Sequence, residues 1–191
     1  MVEGISKAKQ NKITEFVKDE VIYFAVGNQK YDFLYSCSAK DFKVQQEFAN
    51  IMQADVDCEN FYKYLSMYDT EFRRFVPKDP DNQEAEKETF LDESGKAYNC
   101  YILTNKDMKY IVKALRVVKD YIKQQEEAGK KILLISLMAG HGMIADNEQV
   151  LLCNKITKHR FFEMLPIESL IRCIGAEHAN VYSITLFACC R

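Results

Sequence analysis

Lys131-Ile-Leu-Leu-Ile-Ser-Leu-Met-Ala-Gly-His-Gly142 is the stretch whose reading decides the fold. Its apolar part, Ile132 to Gly140, is about half of the roughly 20 residues that span a bilayer. It is rich in branched aliphatic side chains and stops on a histidine between two glycines. That is the pattern of a strand buried on both faces of a sheet. A second run, Asn180 to Phe187, ends on Ala188-Cys189-Cys190-Arg191. Read as parallel strands of one sheet, the two runs send an imidazole and a thiol toward the same edge.

The sequence on the N-terminal side supports the parallel reading. Ala97 to Leu103 is rich in Tyr and Ile and reads as a strand. Thr104-Asn-Lys-Asp107 then caps a helix in which Met108, Ile111, Val112, Leu115, Val118 and Ile122 share one face, with Lys and Glu opposite. Gly129 stands where a C-terminal cap belongs. Strand, helix, strand at this spacing predicts a right-handed crossover and a parallel sheet. Further back, Glu20 to Gly27 is a compact apolar run closed by the turn signal Gly27-Asn28, and is predicted as the first strand.

Between them, Ser38-Ala-Lys-Asp41 reads as a capping box for a helix carrying Phe42, Val44, Phe48, Ile51 and Met52. Asp55 to Asp57 is expected to interrupt it, with a second helical piece at Phe61, Tyr64 and Leu65. Residues 77–94 are acidic and turn-rich and read as a surface insertion. After the decisive stretch, Met143 to Asn154 predicts a hairpin about Ala145-Asp146-Asn147. Pro166 opens a helix that Gly175 closes, with Ile167, Leu170 and Ile171 on its buried face. Val181 to Phe187 is the fourth strand. The fold class is therefore α/β, a mostly parallel sheet flanked by helices in three layers. Residues 1–19 form a polar helical lead-in and 20–191 one domain.

Composition narrows the functions. The 191 residues are 48% hydrophobic, with 12 Phe and 11 Tyr, enough for a sizeable core. A net charge of -2, with basic residues scattered among acidic ones, argues against a nucleic acid partner. Seven cysteines, an odd number with no C-x-x-C spacing and with two adjacent, point to reduced thiols in a reducing compartment. The N-terminus has no apolar signal core, so the expected location is cytoplasmic, with no membrane partner. His159 and His178 are read as surface residues and join no metal-like cluster.

A thiolate is a strong nucleophile, and a nearby histidine can take the thiol proton and later give it to a leaving amine. The glycines beside His141 would let a peptide approach the backbone closely. The amide N–H groups of Gly142 and Cys190 would donate to an oxyanion. Such a set performs acyl transfer and calls for no cofactor and no metal.

The residues that carry this chemistry resemble a known family. Ser136-Leu-Met-Ala-Gly-His-Gly142 looks like the histidine motif of the caspase-like cysteine peptidases (caspases, metacaspases and paracaspases), and Phe187-Ala-Cys-Cys-Arg191 looks like their cysteine motif. In that family the histidine precedes the cysteine by about 50 residues, and here His141 and Cys190 are 49 positions apart. Phe24-Ala-Val-Gly-Asn28 followed by Tyr31 resembles the family's first strand, and Tyr101-Ile-Leu-Thr-Asn105 its second. The resemblance runs from about residue 20 to the end. It implies a cysteine endopeptidase acting on peptide or protein substrates, with His141 as proton carrier and Cys190 as nucleophile. Cys189 is the alternative nucleophile; Arg191 matches the family's residue after the catalytic cysteine, and metacaspases show a Cys-Cys pair whose second member is catalytic.

Two departures accompany the resemblance. Where caspases have Gln and metacaspases Asp, this chain has Ala188, so neither substrate charge preference carries over; Lys30 and Asp41 are nominated for a charged pocket. The family continues with further strands beyond the nucleophile, so the expectation is a large-subunit-like part, incomplete at its C-terminus, that takes a small-subunit-like partner. The competing expectations are a non-catalytic caspase-homologous interaction module, a truncated fragment, or an unrelated α/β binding domain.

Overall fold

A computed structural model describes residues 19–29, 34–39, 42–47, 53–68, 71–79, 85–145, 147–153, 164–172, 174 and 178–189. In chain order the elements are β1 (Glu20–Gly27), β2 (Leu34–Ala39), β3 (Phe42–Glu47), α1 (Ala54–Ser66), β4 (Cys100–Thr104), α2 (Met108–Glu127), β5 (Ile132–Gly140), β6 (Gly142–Ala145), β7 (Glu148–Leu152), β8 (Met164–Pro166), α3 (Ile167–Ile171) and β9 (Val181–Cys189). A single 3-10 turn lies at Ala85–Lys87.

Four strands form the central sheet in the order β4-β1-β5-β9, and all three pairings are parallel. The predicted strands thus share one sheet, and the decisive stretch is β5. Period-two alternation divides its side chains between two cores. Ile22, Phe24 and Val26 of β1, with Leu134 and Met138 of β5, face the core under α2. Tyr23 and Ala25, with Ile135, Leu137 and Ala139, face the core under α1. Helices on both faces make the three layers of an α/β sandwich.

The two helices dock for different reasons. In α2, Tyr110, Ile111, Ala114, Leu115, Val118, Tyr121 and Ile122 are buried at three- and four-residue spacing. Burial of each large apolar side chain contributes roughly 1.5–3 kcal/mol. The helix starts at Asp107, whose side chain accepts the Tyr110 N–H at 2.8 Å. It ends where Gly129 and Lys130 donate their N–H groups to the Glu126 and Gln125 carbonyls. By contrast, α1 depends on a close approach. A Cβ on Gly27 would lie 2.6 Å from the Ala54 carbonyl oxygen and 3.0 Å from the Cys58 sulfur. Only glycine at the end of β1 lets the start of α1 sit there.

Some local expectations are corrected. The helix expected after Ser38-Ala-Lys-Asp41 is instead the hairpin β2–β3, with Ala39 opposite Phe42 and Leu34 opposite Glu47. Ser and Asp favour turns as readily as helix caps, and Phe42 and Val44 also fit period two. Phe48, Ile51, Met52, Lys40 and Asp41 lie outside the described residues. Asp55 and Asp57 do not interrupt a helix; they occupy the first turn of α1, where negative charge meets the positive end of the helix dipole. In the acidic 77–94 stretch, Ala85, Glu88 and Phe90 are buried, and the Tyr110 hydroxyl donates to Glu88 at 3.1 Å. The C-terminal part of that stretch is therefore anchored in the α2 core, while Glu93 and Ser94 are exposed. The expected lead-in falls at residues 1–18, outside the described residues.

The hairpin predicted after the decisive stretch is β6–β7, extended by β8 into a three-stranded antiparallel sheet. Asn147 adopts positive φ (64°) in its turn, a conformation that asparagine tolerates. Pro166 stands at the N-cap of α3.

Candidate active site

The carboxyl ends of the parallel strands meet at one edge of the central sheet, where open α/β sheets gather functional groups. Gly140 ends β5 directly opposite Cys189, which ends β9. The residues that follow in the chain are His141 and Cys190. Cys190 and Arg191 lie outside the described residues, as do Lys30, Tyr31 and His159.

His141 is half-buried. It sits at the junction where the chain leaves the parallel sheet for the hairpin. Gly140 makes that junction with φ 148°, a backbone conformation closed to other residues without strain. The His141 carbonyl accepts the Leu152 N–H at 2.9 Å, which continues the β6–β7 ladder up to the histidine. Gly142, nominated for an oxyanion hole, is the first residue of β6 and stands opposite Leu151.

Cys189 is half-buried. The side-chain amide of Gln149, on β7, lies 3.9 Å from its sulfur. The hairpin that follows the histidine therefore reaches the thiol-bearing strand. Ala188 is exposed and pairs with Ala139.

Two other thiols are chemically quiet. Cys58 and Cys100 are buried. Burial first, then the nearby Asp57 and Glu59 carboxylates, pushes the Cys58 thiol up to about 12. Burial likewise pushes Cys100 up to about 12, against the opposing pull of Arg74. At neutral pH neither supplies a thiolate. No disulfide joins Cys58, Cys100, Cys153 and Cys189.

Three residues of this edge escaped the sequence reading. Asn28, just past β1, is fully buried and gives its side-chain Nδ2–H to the Leu152 carbonyl at 2.9 Å. The Gln29 backbone N–H donates to Asn105 Oδ1 at 2.9 Å, and Gln29 Nε2 donates to Asp55 Oδ2 at 2.8 Å. In the sequence, Asn28 and Asn105 close the two strand matches and Gln29 follows a turn, but nothing there gives their side chains a partner.

His178, expected on the surface, is a further correction. Its side chain is 12% exposed and its Nδ1 pairs with Glu126 at the end of α2. It lies before β9, at the end of the sheet away from His141. Among the described residues, no group of three or more His, Cys, Asp or Glu side chains is placed to hold a metal ion. No described helix is long and apolar enough to cross a membrane. Scanned against models of known protein families the chain matches none, and no curated protein matches it either.

Proposed function

We propose that the chain is a caspase-like cysteine endopeptidase domain, with His141 and Cys190 as its dyad. The observation that carries this reading is the register of β5 and β9. Gly140 lies opposite Cys189, so the histidine and the second cysteine are the next residues of adjacent parallel strands. The chemistry follows from the residue types. The Cys190 thiol gives its proton to His141, and the thiolate attacks the carbonyl carbon of a substrate peptide bond. His141 returns the proton to the leaving amine, and water then hydrolyses the thioester. The amides of Gly142 and Cys190 donate to the oxyanion during both steps. Cys189 remains the alternative nucleophile.

A small-subunit-like partner completes this reading. Both faces of β9 carry exposed apolar residues, Tyr182 at 58% and Ile184 at 49% on one and Phe187 at 40% on the other. A partner strand laid along β9 would cover them and steady the thiol. The same surface favours a second reading, a non-catalytic caspase-homologous module that acts by protein contact alone.

Alkylation of the full chain with iodoacetamide, mapped by peptide mass spectrometry, separates the two. A dyad makes Cys190 react on the order of 10-fold faster at neutral pH than an unassisted exposed thiol, and His141→Ala removes the advantage. Cys190→Ala and Cys189→Ala assign the reacting sulfur. Equal labelling of the two adjacent cysteines, indifferent to His141→Ala, would leave only the binding module.

A further inference from the structure

We infer that Asn28 is a positioning residue for His141, an inference that rests on the Cys–His reading above. Asn28 lies one residue beyond β1, on the central sheet's carboxyl edge, and is 0% exposed. Its backbone N–H donates to the Ala139 carbonyl at 3.0 Å, two residues before His141. Its side-chain Nδ2–H donates to the Leu152 carbonyl at 2.9 Å. Leu152 gives its own N–H to the His141 carbonyl at 2.9 Å. One residue of the neighbouring strand thus grips the histidine's backbone from both directions, through β5 before the bend and through β7 after it.

The bend explains why such a grip is needed. At Gly140 the chain turns out of the parallel sheet with φ 148°, and a glycine hinge by itself leaves the next residue free to swing. Where strands diverge, buried carbonyls lose their ladder partners and need other donors. A primary amide supplies the donor without bringing a charge into the core. A carboxylate of the same shape would instead set an oxygen against the Leu152 carbonyl. Asn28 touches no substrate in this scheme. It fixes the line from the imidazole to the thiol, and a misplacement of about 1 Å in such a line can cost on the order of 10²-fold in rate.

The test uses the full chain as wild type, Asn28→Ala, Asn28→Asp and His141→Ala. The rate of iodoacetamide alkylation at Cys189 and Cys190 is measured between about pH 5 and 9, where a histidine-assisted thiol departs from an ordinary one. In both Asn28 variants the rate at neutral pH falls on the order of 10-fold, and the pH profile moves toward that of an unassisted thiol near 8.5. Both variants keep a cooperative thermal transition. If wild type shows a His141-dependent rate and the Asn28 variants share its rate and profile, the inference about Asn28 fails alone. If the wild-type rate is indifferent to His141→Ala, the Cys–His reading fails and takes the inference with it. A lowered rate with an unmoved pH profile, or loss of cooperative folding in both variants, makes Asn28 a fold residue and overturns its positioning role.

Discussion

β5 and β9 run side by side, Ile132 opposite Val181 through Gly140 opposite Cys189, yet they are held very differently. β5 is paired on both sides and buried along nearly its whole length. β9 ends the described order of the sheet, and its side chains are exposed or half-buried throughout. The histidine follows the first strand, and Cys189 ends the second. The proposed site would join one half held by a buried strand to one carried on an exposed strand. That difference teaches that sequence alone cannot rank the two halves, because both strands read as the same kind of apolar run.

The comparison breaks most sharply in the core. Leu134→Ala, at a side chain 1% exposed on β5, is expected to cost about 2–5 kcal/mol. Ile184→Ala, at a side chain 49% exposed on β9, should cost under about 1 kcal/mol. Urea unfolding of the two variants reads the difference, and equal losses would mean that β9 is as firmly covered as β5.

The thiols sharpen it next. Cys58 and Cys100 are raised by burial to about 12 from a usual 9.0. The folded state therefore holds their protons more tightly than the unfolded chain. This stability is fully present below about pH 9 and is lost as pH rises toward about 12, on the order of 2 kcal/mol per thiol by pH 11. Denaturant midpoints measured from neutral to alkaline pH test the slope. Cys58→Ala/Cys100→Ala should lessen it, with the buried tyrosines Tyr23, Tyr101, Tyr110 and Tyr121 keeping the remainder, whereas Cys189→Ala should leave it in place.

The smallest effect on folding, with a separate effect on association, belongs to the edge. Val181 to Cys189 contains no charged residue, and an uncharged exposed strand is prone to edge-to-edge pairing. Ile184→Lys should change stability by no more than about 0.5 kcal/mol while reducing self-association in sedimentation. Unchanged association would show that β9 is not the sticky surface.

What could be read beforehand follows a physical division. Local pattern was enough for β1, β5, β9, α2 and the β6–β7 hairpin, because each buries a continuous face or ends on a turn residue such as Asn147. The β2–β3 hairpin was misread because Ser38 and Asp41 serve turns and helix caps alike. The long-range side-chain ties were invisible for another reason. Asn28 meets Leu152 across 124 positions and His178 meets Glu126 across 52, and nothing in either local sequence announces its partner. The acidic stretch at 77–94 misled by composition, since Phe90 outweighs its charged neighbours once α2 is there to receive it. The sheet brings the Gly140–Gly142 bend and Cys189, the alternative nucleophile, to one edge, while Cys190 lies outside the described residues.

The strand order has a consequence for the making of the protein. β1 lies between β4 and β5, and Tyr23 pairs with Cys100 and with Ile135, partners far downstream in the chain. At synthesis rates of about 5–20 residues per second, β1 leaves the ribosome roughly 4–15 s before its first sheet neighbour exists. For that interval the most apolar early segment of the chain, Val-Ile-Tyr-Phe-Ala-Val at positions 21–26, has no sheet to join. The nascent chain is a natural client for a holding chaperone until β4 has emerged.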